Sequence, residues 1–190
     1  MVDSETRWAM VRKLRQKPAA PLAEPVIRQV EQTDLPAIKD IYNYFIQNTV
    51  ITFDDVPLDL SYWQERFEMS EKFALPFLVL ARGSEVLGFA YVSPWRQRTS
   101  YLKVVENSIY LSAPATGKGL GSKLFEALIR ACEQAGIKEV IAVIADRGAH
   151  ASIALHKKHG FVEQGHLADV AKRFGKPIGS YLLSLKLAKA

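Results

Sequence analysis

From Val26 onward the apolar and polar positions fall into two alternating periods. Val26 to Val30 alternate and predict a short strand. Thr33 can cap a helix whose Leu35, Ile38, Tyr42 and Phe45 recur at helical spacing. A second helix, about Asp59 to Met69, carries Leu60, Trp63 and Phe67 on one stripe, and the intervening Asn48 to Leu58 reads as a loop rich in Thr, Asp and aromatics. Phe77 to Arg82 and Val86 to Val92 predict two strands joined across Gly83-Ser84. Lys103 to Leu111 is a further strand presenting Val104, Glu106, Ser108 and Tyr110 to one side.

That strand runs into a glycine-bearing loop, Ser112 to Gly121, and then a helix to about Ala135. Lys123, Glu126, Arg130 and Glu133 form the helix's one polar stripe, so most of its girth packs against a sheet. Gly136 stops it, and Val140 to Ala145 is a continuous apolar run, as expected of a strand covered on both faces. Strand, crossover helix and buried strand make a right-handed parallel unit. A helix from about Ala149 to His159 ends at Gly160, and strands near Phe161 to Leu167 and Tyr181 to Leu187 finish the chain. The expected fold class is α/β (α+β): a mixed, mostly antiparallel twisted sheet with a central parallel pair and helices on both faces.

Composition sharpens this without redirecting it. The 190 residues are 48% hydrophobic and 24% charged, an ordinary globular balance. Apolar stretches such as Ala74 to Ala81 fall far short of the roughly 18 to 20 residues that cross a bilayer, so no membrane partner is expected. One cysteine, Cys132, and four scattered histidines give no metal-binding pattern, and a reducing, cytoplasmic setting fits. Of the net charge of +5, residues 1 to 20 contribute +3 through Arg7, Arg12, Lys13, Arg15 and Lys17 against Asp3 and Glu5. The basicity is therefore mostly a tail property, which argues against nucleic acid as the main partner. Residues 1–24 read as a basic, mobile extension and 25–190 as one domain.

Gly117, Gly119 and Gly121 stand between a strand and a helix N-terminus, where bare amides and the helix dipole favour an anion. The alternative is a tight turn with close helix packing. No Gly-Lys-Ser/Thr follows at the P-loop offset and no third glycine at the dinucleotide offset, so ATP and NAD lose ground.

Glu106-Asn107-Ser108-Ile109-Tyr110-Leu111, followed by Thr116-Gly117-Lys118-Gly119-Leu120-Gly121, resembles the acetyl-CoA motif of the GNAT acetyltransferase superfamily. The run Ala151 to Phe161 resembles its second CoA-contacting motif, and Trp95-Arg96, Asn48-Thr49 and Arg173-Phe174-Gly175 are similar to the phosphinothricin and methionine sulfoximine branch. The likeness covers about Val26 to Leu187. It implies an acetyl-CoA co-substrate and no metal. It also implies main-chain amides of Thr116, Gly117, Lys118, Gly119, Leu120, Gly121 and Ser122 on the pyrophosphate, with Ile109, Tyr110 and Leu111 alongside pantetheine. Two positions depart from the pattern: Thr116 stands where the family has Gln or Arg, and Ala149 where an Asn often meets the cofactor.

Acetyl transfer needs a deprotonated amine, an oxyanion donor and a proton for the thiolate. Glu106, inside an otherwise apolar strand, is either the base, acting through water, or a glutamate on an open face; the resemblance favours the base. His156, four residues after Ser152 on one helical face, occupies the family's general-acid position, with a helix-surface histidine as the alternative. The oxyanion donor is expected to be an amide near Leu111. Ser152, Lys118 and Lys158 are further cofactor candidates. Arg96 with Arg98, beside Trp95, would read the acidic head of a glutamate-like substrate, and Phe53 would wall the pocket. The expectation is an N-acetyltransferase for a small amino acid such as phosphinothricin or methionine sulfoximine, acting by direct transfer, with a homodimer usual in the family. The alternatives are another amine acceptor (polyamine, aminoglycoside or protein N-terminus) or a module that senses acyl-CoA or binds nucleic acid.

Overall fold

The computed structural model describes residues 23–96, 101 and 103–187. Residues 1–22 of the basic extension and Arg98 of the expected anion patch lie outside them. Seven strands form one sheet: β1 (Val26–Gln29), β2 (Phe77–Arg82), β3 (Glu85–Pro94), β4 (Val104–Leu111), β5 (Glu139–Ala145), β6 (Val162–Arg173) and β7 (Lys176–Lys186). Their order is β1-β2-β3-β4-β5-β7-β6, and every neighbouring pair is antiparallel except β4–β5. Among the described residues four α-helices cover it: α1 (Leu35–Asn48), α2 (Leu60–Lys72), α3 (Leu120–Gln134) and α4 (His150–Lys158). None of these is long and apolar enough to cross a membrane.

The two faces bury different side chains. Beneath α1 and α2 lies an aromatic layer in which Trp63 meets Phe89 and Tyr91 edge-on at 5.3 and 5.9 Å. Beneath α3 and α4 the packing is mostly aliphatic, with Leu124, Leu128 and Cys132 against Val105, Val140 and Ala142. The continuous apolar run expected for β5 follows from coverage on both sides.

Two local expectations are corrected. Thr33 caps nothing: Glu31 and Asp34 form a reciprocal capping box around a 3-10 turn, Arg28 holds both oxygens of Asp34 at 2.6 and 2.8 Å, and α1 opens behind them with Pro36 in its first turn. The last two strands are much longer than their apolar pattern and form one extended hairpin closed at Phe174-Gly175, both at positive φ. Residues 162–170 are exposed throughout, so no buried face imposes alternation on the sequence there.

The β4–β5 pair positions the site. Only Val104↔Glu139, Val105↔Val140 and Glu106↔Ile141 are paired, after which the strands part. β4 keeps β3 as far as Leu111 and β5 keeps β7 as far as Ala145, leaving one edge of residues 107–111 without a partner strand.

Candidate active site

A cleft of about 80 Å³ occupies that opening, lined by Asn107, Ile109 and Tyr110 of β4, Ile144 of β5, and Ser152 and His156 of α4. At its far end the loop before α3 bends through Gly117 and Gly119, each at φ +73°, a conformation that favours glycine. A Cβ on either would meet nothing within 4 Å. These two glycines therefore serve backbone shape and leave the loop's outer side bare. Gly121 differs: a Cβ there would lie 3.0 Å from Leu111 Cδ1, so it permits α3 to close on β4. Among the described residues, no protein acceptor takes the amides of Gly117 through Ser122. Unpaired amides at the start of a helix make an anion site, and the residues present fit a pyrophosphate.

Side chains at this end mostly point elsewhere. The Thr116 hydroxyl and the Lys118 ammonium both donate back into the loop, to Ala113 O and Pro114 O at 2.8 Å. Leu120, the first residue of α3, is half-buried against the aliphatic core. Ser122 Oγ lies 3.0 Å from His159 Nε2 and accepts from Lys158 Nζ at 3.1 Å, so α4 delivers a cation to the first turn of α3. Ile109 and Leu111 pack half-buried into the aliphatic side, and Ala149 is buried where α4 begins. Tyr110 turns its ring to the aromatic layer, 4.9 Å from Tyr42, and so offers the cleft mainly its backbone.

Pairing with β3 sets Glu106 opposite Ser93, on the same side of the sheet as Tyr110 and beneath α2. Burial raises the Glu106 carboxyl above its usual range, with the Arg66 guanidinium of α2 pulling it back down. A carboxylate held this way is a stronger base than one in open water.

His156, expected as the proton donor, lies buried between α4 and β4. It is 2% exposed, and burial lowers it to about 4, so the ring is neutral at pH 7. A carbonyl can only accept, so Nδ1 carries the proton and donates it to Ser152 O at 2.7 Å. Nε2 then accepts from Asn107 Nδ2 at 2.9 Å. Both ring nitrogens are occupied, with no proton aimed at the cleft. Ser152 Oγ, 3.5 Å from Nδ1, adds little to this arrangement.

The acceptor end is only partly gathered. Trp95 is half-buried where β3 leaves β4, and Arg96 is exposed with its guanidinium 5.5 Å from the Trp95 ring centre. Phe53 is 40% exposed on the α1–α2 loop. That loop is anchored by Tyr42 donating to Asp54 and by Asn43, which exchanges two hydrogen bonds with Leu58 at 2.8 and 2.9 Å. Sequence reasoning missed Asn107 and Arg66. Asn107 carried a signal, a polar residue next to Glu106 in an apolar strand; its Oδ1 is buried without a protein partner at the cleft wall, an acceptor suited to an amide-bearing ligand such as pantetheine. Arg66 stands three residues beyond Trp63 on the helix's sheet-facing side, a cation at core spacing.

The acetyltransferase (GNAT) family model matches residues 38–161. The chain belongs to the GNAT acetyltransferase family. Among its GNAT relatives is the phosphinothricin N-acetyltransferase of Alcaligenes faecalis, 35% identical across 85% of this chain and 82% of the relative. The L-methionine sulfoximine/L-methionine sulfone acetyltransferase of Pseudomonas aeruginosa is also 35% identical, over 85% and 94%. A phosphinothricin acetyltransferase of Sinorhizobium meliloti, solved in complex with AcCoA, superimposes with a TM-score of 0.81 at 34% identity, over 86% of this chain and 89% of that one. The bare-amide loop and the parted strands are thus set in a GNAT fold, and the expected fold class holds.

Proposed function

We propose that the chain transfers acetyl from acetyl-CoA to the amino group of a small amino acid of the phosphinothricin or methionine sulfoximine kind. The carrying observation is Glu106, a carboxyl with raised pKa at the point where β4 and β5 part, within the electrostatic reach of Arg66 of α2. Relatives active on those two acceptors, each similar over most of its length, support the substrate class.

Acetyl-CoA supplies the thioester, and every other requirement falls on the chain. The amides of Gly117 to Ser122 and the Lys158 ammonium hold the diphosphate, and the free edge of Ile109 to Leu111 aligns the pantetheine; the Thr116 amide, expected to join them, is already bonded to Ala113 O at 3.3 Å. Glu106 takes one proton from the acceptor ammonium through a water. The neutral nitrogen then bonds to the carbonyl carbon as the carbon–sulfur bond breaks. A β4 amide near Leu111 stabilises the developing oxyanion. The sulfur takes up the second nitrogen proton, so no imidazolium is required, and we assign His156 to positioning α4. Transfer is direct: Cys132, the one thiol, is fully buried and pushed up to about 12, unfit as a nucleophile. An inert thiol also suits a cytoplasmic setting. Trp95, Arg96 and Phe53 bound the acceptor side, within one catalytic domain of residues 25–190 to which the basic extension is accessory. The exposed Val162, Leu167 and Val170 of β6 support a homodimer through that strand.

The test is thiol release from acetyl-CoA with a panel of phosphinothricin, methionine sulfoximine, glutamate, spermidine and an alanine-initiated peptide. Acetylation of the first two, lost in Glu106→Gln, is the expected result. The peptide covers a second reading, favoured by a ribosomal-protein-alanine N-acetyltransferase of Brucella melitensis that is 32% identical with a TM-score of 0.81. Turnover of the peptide alone would replace the first reading with the second.

A further inference from the structure

Among the described residues Arg66 forms no ion pair, and Glu106 acts on it only from a distance. Arg66 sits half-buried on the face of α2 turned toward the sheet, and among the described residues no carboxylate lies within 4 Å of it. Its side chain is nonetheless ordered by neighbours: Nε donates to Tyr62 Oη at 3.1 Å, and the guanidinium lies 5.1 Å from the centre of the Tyr62 ring. Its charge acts on Glu106 and on Tyr91. Half-buried arginine is costly unless something anionic completes it, and its planar fork fits a carboxylate through two parallel hydrogen bonds.

We propose that Arg66 is the receptor for the α-carboxylate of the acceptor amino acid, and thereby selects free amino acids over their neutral derivatives. The inference rests on the function proposed above and adds to it the group that is read. The geometry of an amino acid decides which anion this is. The amine and the α-carboxylate share one carbon, so an amine within one water of Glu106 carries its carboxylate into the neighbourhood of the base, where Arg66 stands. The acidic or tetrahedral head, several bonds away, is left to the exposed Arg96 at the end of β3.

Binding would also change the base. In the free protein Arg66 restrains the basicity of Glu106, and a carboxylate paired with Arg66 cancels that restraint as the amine arrives. The charged and titratable groups around Glu106 are Arg66 and Tyr62 from α2, Tyr91 from β3 and Tyr110 from β4, with Tyr42 of α1 and Asp54 of the following loop beyond them. Burial raises Tyr91 and Tyr110 well above the usual phenol range, so among the described residues Arg66 is the one permanent charge acting on Glu106.

The experiment measures kcat/KM for methionine sulfoximine and for its α-carboxamide with the full chain, Arg66→Met and Arg66→Lys. The ratio of acid to amide is read within each protein, so partial loss of folded protein cancels. The wild type is expected to favour the acid about ten- to a hundredfold, Arg66→Met to lose that preference, and Arg66→Lys to regain part of it. In Arg66→Met the acid limb of kcat/KM, set by free Glu106, moves to higher pH, while the limb of kcat moves less. An unchanged acid-to-amide ratio in an active Arg66→Met overturns the assignment to Arg66 alone. A wild type that binds acetyl-CoA yet acetylates neither compound overturns the proposed acceptor, and this inference with it.

Discussion

Asn107 donates its side-chain amide to Nε2 of His156 at 2.9 Å, tying β4 to α4 across the opening between the parted strands. The two residues are 49 positions apart, and both are buried. The Ser152 carbonyl fixes the tautomer of His156, and that tautomer in turn sets the Asn107 amide, leaving its Oδ1 without a protein partner.

His156 should therefore act on stability and cofactor geometry. Its folded pKa, about 4, lies below the ordinary 6.5, so the unfolded chain binds the extra proton. The stability it contributes is complete above pH 6.5 and is lost as pH falls toward 4, on the order of 2–3 kcal/mol over the whole interval. Melting curves of wild type and His156→Gln between pH 4.5 and 7.5 should converge at the acid end. The KM for acetyl-CoA should rise in the variant, and no imidazole limb should vanish from the activity profile.

Glu106→Gln should lower kcat by roughly a hundred- to ten-thousandfold while leaving acetyl-CoA affinity in place. Its stability should move the opposite way. A carboxyl with a raised folded pKa contributes stability at pH values below its unfolded pKa, and that contribution is lost as pH rises through the folded one. The glutamine variant should accordingly melt at or above the wild-type temperature at pH 8. A variant that melts lower at pH 8 would contradict the strain inferred for the buried carboxylate.

Gly119→Ala probes the loop without filling it. A methyl group there meets no atom, so the cost is the left-handed backbone, about 1 kcal/mol. Calorimetric affinity for acetyl-CoA should fall as the loop amides shift, with the acceptor KM unchanged. Gly88→Ala is the contrasting control: its Cβ would come 2.7 Å from Tyr110 O and 2.6 Å from Leu111 Cδ2, so soluble yield and melting temperature should drop steeply.

Arg173 links the distal hairpin to the acceptor loop. Only 3% exposed, it donates to Ile46 O in the last turn of α1 and, at 3.5 Å, to O of Thr49, the residue that caps it. Arg173→Met should cost about 2 kcal/mol in chemical denaturation and raise the acceptor KM more than the acetyl-CoA KM. Arg173→Lys should restore part of both.

What the sequence disclosed follows from which residues are answerable to a buried face. Gly83-Ser84, the β5 run and the strand-to-helix glycine loop were legible because each is dictated by local backbone needs or by coverage on both sides. Glu106 was legible because period two assigns it to the side of Tyr110. The length of the β6–β7 hairpin was not, since an exposed strand answers to no apolar period. Arg66 and the charge state of His156 were hidden for a different reason. Whether a polar side chain on a helix is solvated, paired or stranded depends on the element opposite, which here is a strand tens of residues away.

Three residue pairs are all that join β4 to β5, so the sheet is two plates, β1–β4 and β5–β7, meeting along a short seam. Whatever lies along the open part of that seam works as a splint as well as a reactant. A chain loaded with its nucleotide thioester should hold the plates together, and amide protons of residues 107–111 should exchange with solvent far more slowly than in the unloaded chain.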